Sequence, residues 1–332
     1  MTSTTAAPFG RLMTAMITPM TSDGAIDYDG AAALAAYLVN DMRNEGLVVN
    51  GTTGEAPTTT DEEKARLVKV VREAVGDRVT VIAGVGTNIT AHSVELARQA
   101  EKAGAHGLLV VTPYYSKPAQ DALVAHFTAI ADATTLPSLI YDIPGRTGMA
   151  VATDTLVRLA AHPRIVGVKD AKGDLAATSQ VLSRSDLAYY SGDDPMNLPL
   201  WSVGAVGCIS VTAHVVGDRI HAMLEAFTAG RNAEAARLHR SMLPVNVGLF
   251  RNQAAVLTKA AMDLLGLPGG GVRGPLLPAS DAERHTLQED LTIGGVKLNY
   301  LHSAPPAEDL MSPKRRNEDG LGENTENNGA AR

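Results

Sequence analysis

The sequence predicts a (β/α)8 barrel, a TIM barrel of the α/β class, followed by a C-terminal helical appendix. Three observations predict it: eight short apolar segments, amphipathic stretches between most of them, and a purely helical pattern after Gly217. Each segment is rich in Val, Ile or Leu and too short for a helix, which is typical of strands buried on both faces of a parallel sheet. The segments are Leu12–Thr18, Leu47–Asn50, Val79–Ala83, Gly107–Val111, Ser138–Tyr141, Ile165–Lys169, Leu187–Ser191 and Val206–Val211.

The stretches between these segments indicate amphipathic helices. One opens with the charged run Asp61–Lys64 and continues through the apolar positions between Leu67 and Val71. A second begins at Thr90 and ends near Gly104. Acidic residues favour the first turn of a helix because they interact well with its dipole. Eight strand–helix units in 332 residues favour a closed barrel, with a doubly wound parallel sheet as the alternative.

Three regions are predicted: a catalytic barrel over 1–230, a helical extension over 231–296 and a disordered tail over 297–332. After the last strand, helices are expected at 218–229, 231–247, 249–266 and 280–293. The tail contains Pro305–Pro306, the basic run Lys314–Arg316 and an Asn/Glu/Gly-rich end. A segment with so few apolar residues cannot bury a core, so we expect it to stay disordered.

The composition excludes several classes of protein. The chain has 36 acidic and 29 basic residues and a net charge of −7, whereas a general nucleic-acid binder needs a basic face. Its one cysteine, Cys208, can form neither an internal disulfide nor a cysteine metal cluster. No run of about 18 uncharged apolar residues occurs, and the first ten residues lack the features of a signal peptide. We therefore expect a cytoplasmic protein that binds neither membranes nor nucleic acid.

One lysine occupies a position where barrels place their reacting groups, at the carboxyl end of a strand. Lys169 ends an apolar strand, where burial would lower its pKa and leave a neutral, nucleophilic amine. Such an amine can attack a ketone or an aldehyde and form a Schiff base. Alternatively, the side chain turns to solvent or pairs with Asp170. Lys172 lies in the loop that follows and is the weaker candidate nucleophile.

Hydroxyl groups and an arginine follow other predicted strands. Thr52, Tyr115 and Tyr141 could relay protons during Schiff-base chemistry, although Tyr115 could instead pack at a rim or an interface. Thr53 stands beside Thr52 between glycines and could bind a carboxylate, unless the two threonines form a plain turn. Arg146 lies in a Pro-Gly-Arg turn and is a candidate clamp for a substrate carboxylate, with a surface arginine as the alternative.

Other chemistries lack their sequence motifs. Gly84–Ile89 begins like a dinucleotide fingerprint but has no third glycine, and no P-loop is present. The nine histidines show no spacing suited to a metal site. No Gly-x-Ser-x-Gly elbow occurs. We therefore expect neither a metal nor an organic cofactor.

Five strand-end motifs together resemble the superfamily of pyruvate-dependent class I aldolases that contains dihydrodipicolinate synthases and N-acetylneuraminate lyases. The resemblance covers about residues 10–296. Its motifs are Gly51–Glu55, Thr112–Tyr115, Tyr141 with Pro144–Thr147, Val166–Lys169 and Ser191–Asp194. Because all five occur in the right order, the combination is far more specific than any one of them.

The resemblance implies catalytic roles for four residues. Lys169 matches the lysine that forms the Schiff base with pyruvate. Thr52, Tyr115 and Tyr141 match the proton relay of the family. Tyr115 is expected to reach across a tight dimer interface into the active site of the neighbouring subunit.

Four further residues match substrate-binding positions of the superfamily. Thr53 corresponds to the residue that holds the pyruvate carboxylate, and Arg146 to the arginine that binds the carboxylate of the incoming aldehyde. Gly192 and Ile209 correspond to residues whose backbone lines the pocket. The lyases and sugar-acid aldolases usually lack an arginine at the position of Arg146, so the motif indicates the synthase branch.

For a member of this branch the resemblance implies a lyase of lysine and diaminopimelate biosynthesis. The expected reaction condenses pyruvate with L-aspartate-4-semialdehyde to 4-hydroxy-tetrahydrodipicolinate, with no cofactor. The expected assembly is a homotetramer built as a dimer of tight dimers. Two alternatives stay open: another aldolase of the superfamily, acting on sugar acids or N-acetylneuraminate, and a catalytically silent paralogue.

The sequence departs from the superfamily where lysine-inhibited relatives bind lysine. In those relatives, small polar and histidine residues follow the Gly-Thr-Thr-Gly-Glu motif, and an acid lies on the next helix. Here the positions carry Ala56, Pro57, Asp61 and Lys64, and His92 replaces the acid. A cation at Lys64 disfavours binding of the lysine ammonium, so we expect weak or absent feedback by lysine.

Overall fold

Eight parallel strands form a closed barrel in the computed structural model, which describes residues 6–298. Each strand pairs with the next one in the sequence, and β8 pairs with β1, so the sheet has no open edge. The predicted barrel is confirmed and the doubly wound alternative is wrong. The strands are β1 (Leu12–Ala15), β2 (Gly46–Val49), β3 (Thr80–Gly84), β4 (Gly107–Val111), β5 (Ser138–Asp142), β6 (Ile165–Asp170), β7 (Ala188–Ser191) and β8 (Gly207–Ser210).

Helices separate the strands and continue after the last one. The two helices predicted at Asp61 and Thr90 are present as α2 and α3. The α-helices are α1 (Tyr28–Asn40), α2 (Asp61–Val75), α3 (Thr90–Lys102), α4 (Gln120–Asp132), α5 (Pro144–Thr147), α6 (Thr153–Leu159), α7 (Leu175–Leu182), α8 (Asn197–Ser202), α9 (Ala213–Thr228), α10 (Asn232–Leu249), α11 (Ala254–Leu264) and α12 (Asp281–Ile293).

Two apolar cores stabilise the barrel, one between the sheet and the helices and one inside the sheet. Strand β4 shows how a single strand serves both: Leu108 and Val110 belong to the outer core and Leu109 to the inner one. Successive side chains of a strand point to opposite faces, so a continuous apolar strand fills both cores. Tyr141 and Ile209 also belong to the inner core, which lies below the carboxyl ends of the strands.

A buried histidine stabilises the seam where β8 closes onto β1. His214, in the first turn of α9, accepts a hydrogen bond at Nε2 from the Ile17 N–H (3.1 Å) and donates from Nδ1 to the Val211 carbonyl (2.7 Å). Its side chain is fully buried, and burial lowers its pKa to about 4. The imidazole is therefore neutral at physiological pH, which is the form that can accept and donate at once.

The structure corrects two predicted boundaries among the C-terminal helices. Helix α9 begins at Ala213 rather than at 218, since the turn after β8 leads directly into it, with non-helical dihedrals at Val216. Helix α11 begins at Ala254 rather than at 249, because α10 continues to Leu249 and the Gln253 side chain caps α11 at the Ala255 N–H. Apolar periodicity runs through both helices and hides the turn between them.

We propose the predicted division between barrel and extension at residue 230, since α9 ends at Thr228 and α10 begins at Asn232. Of the predicted disordered tail, 297–332, only residues 297 and 298 are described; 299–332 lie outside the described residues. Within 6–298, no helix combines the length and the apolar character that a membrane crossing requires.

Candidate active site

The pairing of β5 with β6 brings two of the predicted catalytic residues together. Tyr141 is the register partner of Lys169, and the next pair is Asp142 with Asp170. Register partners on adjacent parallel strands project to the same side of the sheet, so both side chains lie at the carboxyl mouth of the barrel. The Lys169 Nζ atom lies 4.3 Å from the centre of the Tyr141 ring.

Lys169 is buried and has no carboxylate partner. Its side chain is 4% exposed, and no described residue forms an ion pair with it, so neither alternative for this lysine is observed. Burial lowers the pKa of Lys169 to about 8, and the positive charge of Arg146 acts in the same direction. The negative charge of Asp194 opposes both effects. A substantial share of the amine is therefore neutral and nucleophilic near pH 8.

Asp170, the acid next to Lys169, is occupied by its own loop. One carboxylate oxygen accepts from the backbone N–H groups of Lys172 (2.7 Å) and Gly173 (3.2 Å). The other accepts from the Thr178 hydroxyl at 2.9 Å. Consecutive residues of a strand also point to opposite faces of the sheet, so Lys169 and Asp170 do not pair.

Lys172, the weaker candidate nucleophile, pairs with a different acid. Its Nζ lies 3.1 Å from Asp142 Oδ2, and Asp142 Oδ1 accepts from the Val151 N–H at 3.2 Å. Burial raises the pKa of Asp142, and the Lys172 ammonium counteracts that rise. The pair holds the end of β5 in place beside the start of the loop that follows β6.

Tyr141 is held next to one of the predicted relay hydroxyls. Burial raises its pKa to about 12, while the charge of Arg146 and a hydrogen bond with the Thr52 side chain oppose the rise. The phenol is therefore protonated at neutral pH and can donate a proton and accept one in turn. Thr52, Tyr141 and Arg146 all line one cavity of about 760 Å³ at the mouth of the barrel.

Both threonines lie in a compact turn after β2, here called the threonine turn, residues 51–55. The Gly54 and Glu55 N–H groups donate to the Gly51 and Thr52 carbonyls, each at 3.1 Å. Thr18, beyond the end of β1, donates from its hydroxyl to the Gly54 carbonyl at 2.7 Å. The backbone of residues 51–55 thus forms a turn, and Thr52 also lines the cavity.

Arg146 and Tyr115 lie at the outer part of the same cavity. Arg146 is exposed on α5, and its guanidinium donates no hydrogen bond to any residue between 6 and 298. Tyr115 is 91% exposed and has a φ of 72°, in the left-handed region. A large aromatic side chain this exposed on a strained backbone is unusual, and it is typical of a residue that contacts a partner.

Thr53, Gly192, Ile209 and Lys169 itself are not among the residues that line this cavity. Thr53 is 6% exposed in the threonine turn, and Ile209 is fully buried in β8. Gly192 follows β7, and its N–H donates to the Asp170 carbonyl at 2.7 Å. A Cβ atom at Gly192 would lie 2.9 Å from both Cγ and Cε of Lys169, so the missing side chain leaves the space that the lysine occupies.

One acid that influences the lysine is not among the predicted site residues. Asp194 is 3% exposed, and its Oδ2 accepts from the N–H groups of Val211 (2.9 Å) and Thr212 (3.0 Å). It belongs to the Ser191–Asp194 motif, so its position was visible in the sequence but its burial was not. In the described part of the chain, no group of three His, Cys, Asp or Glu side chains is arranged to hold a metal.

Comparisons with known proteins identify the relatives of the chain. The sequence profile of the Dihydrodipicolinate synthetase family matches residues 8–293. The 4-hydroxy-tetrahydrodipicolinate synthase of Acidothermus cellulolyticus is 60% identical over 294 residues, 89% of this chain and 95% of that protein. A Bacillus anthracis dihydrodipicolinate synthase structure has 42% identity and a TM-score of 0.84, covering 86% and 98% of the two chains. A lysine-bound Cyanidioschyzon merolae structure has 39% identity and a TM-score of 0.85, covering 87% and 99%.

The rate of pyruvate trapping on Lys169 should rise with pH. Only the neutral amine attacks a ketone, so the rate should increase about tenfold per pH unit below 8 and level off above it. Cyanoborohydride trapping followed by mass spectrometry measures it, with Lys169→Ala as the control that forms no adduct. A rate that keeps rising to pH 10 would show that burial does not lower this pKa.

The variant Gly192→Ala should impair Lys169 without unfolding the barrel. Its methyl group would displace the lysine side chain, so trapping of pyruvate should slow by about tenfold or more. Gly145→Ala is the matched control, since a Cβ atom there meets no atom within 4 Å. Equal trapping rates in both variants, at unchanged melting temperature, would contradict the assigned packing.

Proposed function

The chain belongs to the dihydrodipicolinate synthetase family, and we propose that it condenses pyruvate with L-aspartate-4-semialdehyde to 4-hydroxy-tetrahydrodipicolinate. This is a lyase reaction that leads to diaminopimelate and lysine. The observation that carries the proposal is the buried, unpaired Lys169 beside Tyr141 at the mouth of the barrel. The relatives support the choice of substrates, because the Acidothermus protein bears the name of this synthase.

Catalysis begins with Lys169. Its neutral Nζ attacks the carbonyl carbon of pyruvate, and loss of one water from the carbinolamine gives an iminium. Loss of a proton from the pyruvate methyl group then gives an enamine. Thr52, Tyr141 and Tyr115 carry protons to and from the cavity during these steps.

Carbon–carbon bond formation follows. The enamine carbon attacks the aldehyde carbon of the semialdehyde, and the aldehyde oxygen takes up a proton. The amino group of the new chain then attacks the iminium carbon and displaces Lys169, which closes the ring and frees the enzyme. One water leaves for each pair of substrates, and the chemistry uses no metal or organic cofactor.

Two side chains hold the substrate carboxylates in this mechanism. Thr53 binds the carboxylate of pyruvate, and Arg146, unpaired at the cavity, binds that of the semialdehyde. The backbone at Gly192 and Ile209 completes the pyruvate site around Lys169. A guanidinium matches a carboxylate in charge and geometry, and this favours a substrate with an acid near its reacting carbon.

We also propose that the enzyme is a cytoplasmic homotetramer, a dimer of tight dimers. The support for the tight dimer is Tyr115, which is exposed in the single chain and lines the same cavity as Thr52 and Tyr141, the other members of the proposed relay. A partner subunit would cover this ring and use its hydroxyl. Burial of a Tyr ring with its hydroxyl hydrogen-bonded is typical of such interfaces.

The variant Arg146→Ala should lose most of its activity with the semialdehyde. Removal of a charge-assisted bond should lower kcat/KM for the semialdehyde by about 10–100-fold and leave the pyruvate KM nearly unchanged. The assay follows NADPH oxidation through added dihydrodipicolinate reductase, and Arg158→Ala, an exposed arginine, is the control. An inactive but folded wild type, followed by activity with another aldehyde, would overturn the proposed substrate.

Subunits that carry complementary defects should restore activity. The Tyr115→Phe subunit is expected to be nearly inactive because acid–base groups contribute about 10²–10⁴-fold, and the Lys169→Ala subunit because it lacks the nucleophile. If Tyr115 crosses the interface, each mixed dimer has one intact site and one site with both defects. Equal mixing and reassociation make half of the dimers mixed, so intact sites should reach about a quarter of the wild-type number. Sedimentation checks the assembly, and Tyr114→Phe is the control variant. A fully active monomer, or no recovery of activity on mixing, would show that Tyr115 does not act in the neighbouring active site.

Lysine should inhibit the enzyme weakly or not at all, with half-inhibition above about 1 mM. In the structure the Lys64 ammonium donates to the Thr59 carbonyl, and Asp61 lies 2.9 Å from His92 Nε2. The Lys64 cation, and Asp61 already in contact with His92, thus stand where other groups would bind an added ammonium. Steady-state inhibition measures this, and the Cyanidioschyzon enzyme, whose structure contains bound lysine, is assayed alongside for comparison. Half-inhibition at submillimolar lysine would refute the prediction.

A further inference from the structure

A buried ion pair joins the C-terminal extension to the threonine turn. Lys259 on α11 is 1% exposed, and its ammonium donates to the Glu55 carboxylate and to the Gly271 carbonyl (2.6 Å). Glu55, the last residue of the turn, is 2% exposed. Lysine and glutamate are rarely buried this fully, and a pair of this kind is costly unless both charges are held by partners. The mechanism above uses neither residue.

Both oxygens of the Glu55 carboxylate are occupied. Oε1 accepts from Lys259, and Oε2 accepts from the Arg273 N–H at 3.0 Å. The Arg273 guanidinium in turn bonds Glu63 through both terminal nitrogens (2.7 and 2.6 Å) and the Thr58 carbonyl at 2.8 Å. The carboxylate is therefore fixed between α11, the segment around Gly271, and the start of α2.

The backbone at Glu55 needs such an anchor. Its φ of 57° lies in the left-handed region, which residues with a side chain adopt only when the surroundings impose it. The same residue closes the turn, since its N–H donates to the Thr52 carbonyl. A release of the Glu55 side chain would let the backbone relax, and Thr52 would move with it.

We propose that Lys259 is a positioning residue: through Glu55 it holds the threonine turn in the conformation that presents the Thr52 hydroxyl to Tyr141. The inference rests on the proposed function, in which these two hydroxyls move protons for the Schiff base on Lys169. Lys259 itself touches neither substrate nor reacting atoms. Its effect reaches Thr52 through the salt bridge to Glu55 and the backbone of residues 53–55.

The test removes both charges at once. Lys259→Met alone would leave the Glu55 carboxylate buried without its partner and is expected to destabilise the fold severely. The double variant Glu55→Gln/Lys259→Met keeps the side-chain lengths without the charges and is expected to fold. As a matched control, Arg251→Met/Asp290→Asn removes another ion pair of the C-terminal extension (2.6 Å), and neither of its residues is hydrogen-bonded to the threonine turn.

Two readouts are taken on folded protein, amide hydrogen exchange and steady-state kinetics. In Glu55→Gln/Lys259→Met, exchange across residues 50–57 should accelerate about tenfold or more while β6 keeps its protection. The value of kcat should fall about tenfold or more, and the pyruvate KM should rise because Thr53 shares the turn. The Arg251/Asp290 control should leave exchange at 50–57 and both kinetic constants unchanged.

The inference requires both faster exchange at residues 50–57 and a lower kcat in the same double variant. Unchanged exchange at 50–57, acceleration spread evenly over the whole chain, or wild-type kcat despite faster exchange would each overturn it. Failure of the proposed function is separately visible, as a wild type that does not turn over aspartate semialdehyde. In that case the rate of pyruvate trapping on Lys169 replaces kcat, and the exchange measurement still decides the role of Lys259.

Discussion

The burial of the Lys169 amine without a counter-ion is the constraint on which the rest of the site depends. A shift of its pKa from 10.5 to about 8 corresponds to roughly 3 kcal/mol in favour of the neutral form. Because the folded-state pKa lies below that of the unfolded chain, the cost to stability is fully present below pH 8. It disappears as the pH rises towards 10.5. The same burial that lowers stability leaves part of the Lys169 amine neutral near pH 8, as the proposed nucleophile requires.

Three buried acids lie at the carboxyl ends of β5, β6 and β7, near the lysine in the fold, and each is hydrogen-bonded to another group. Asp170 accepts from its own loop and from Thr178, Asp142 pairs with Lys172, and Asp194 accepts from the backbone at the start of α9. A carboxylate that is already hydrogen-bonded has less to gain from moving towards the ammonium. Lys172, the second lysine of this region, thus has a structural role, because it pairs with Asp142 at the end of β5.

The sequence predicted the barrel and the site for the same physical reason. Strands buried on both faces must be continuously apolar, so a polar residue at a strand end, such as Lys169 or Tyr141, stands out. Contacts between distant segments gave no such signal: nothing near Glu55 or Lys259 in the sequence shows that they pair. The boundary between α10 and α11 was missed because apolar residues such as Leu249 and Phe250 continue across the turn. The exposure of Tyr115 also depends on tertiary structure rather than on its neighbours in the chain.

The distance along the chain between Glu55 and Lys259, 204 residues, has a consequence for synthesis on the ribosome. The segment that carries Thr52 is made early, but the ammonium that anchors it emerges only after all eight strands. A nascent barrel therefore holds Glu55 without its lysine partner, and the proposed nucleophile can be in place before the proposed proton relay is anchored. A polypeptide that stops before α11 would leave the ribosome with every proposed catalytic side chain present and the threonine turn unanchored.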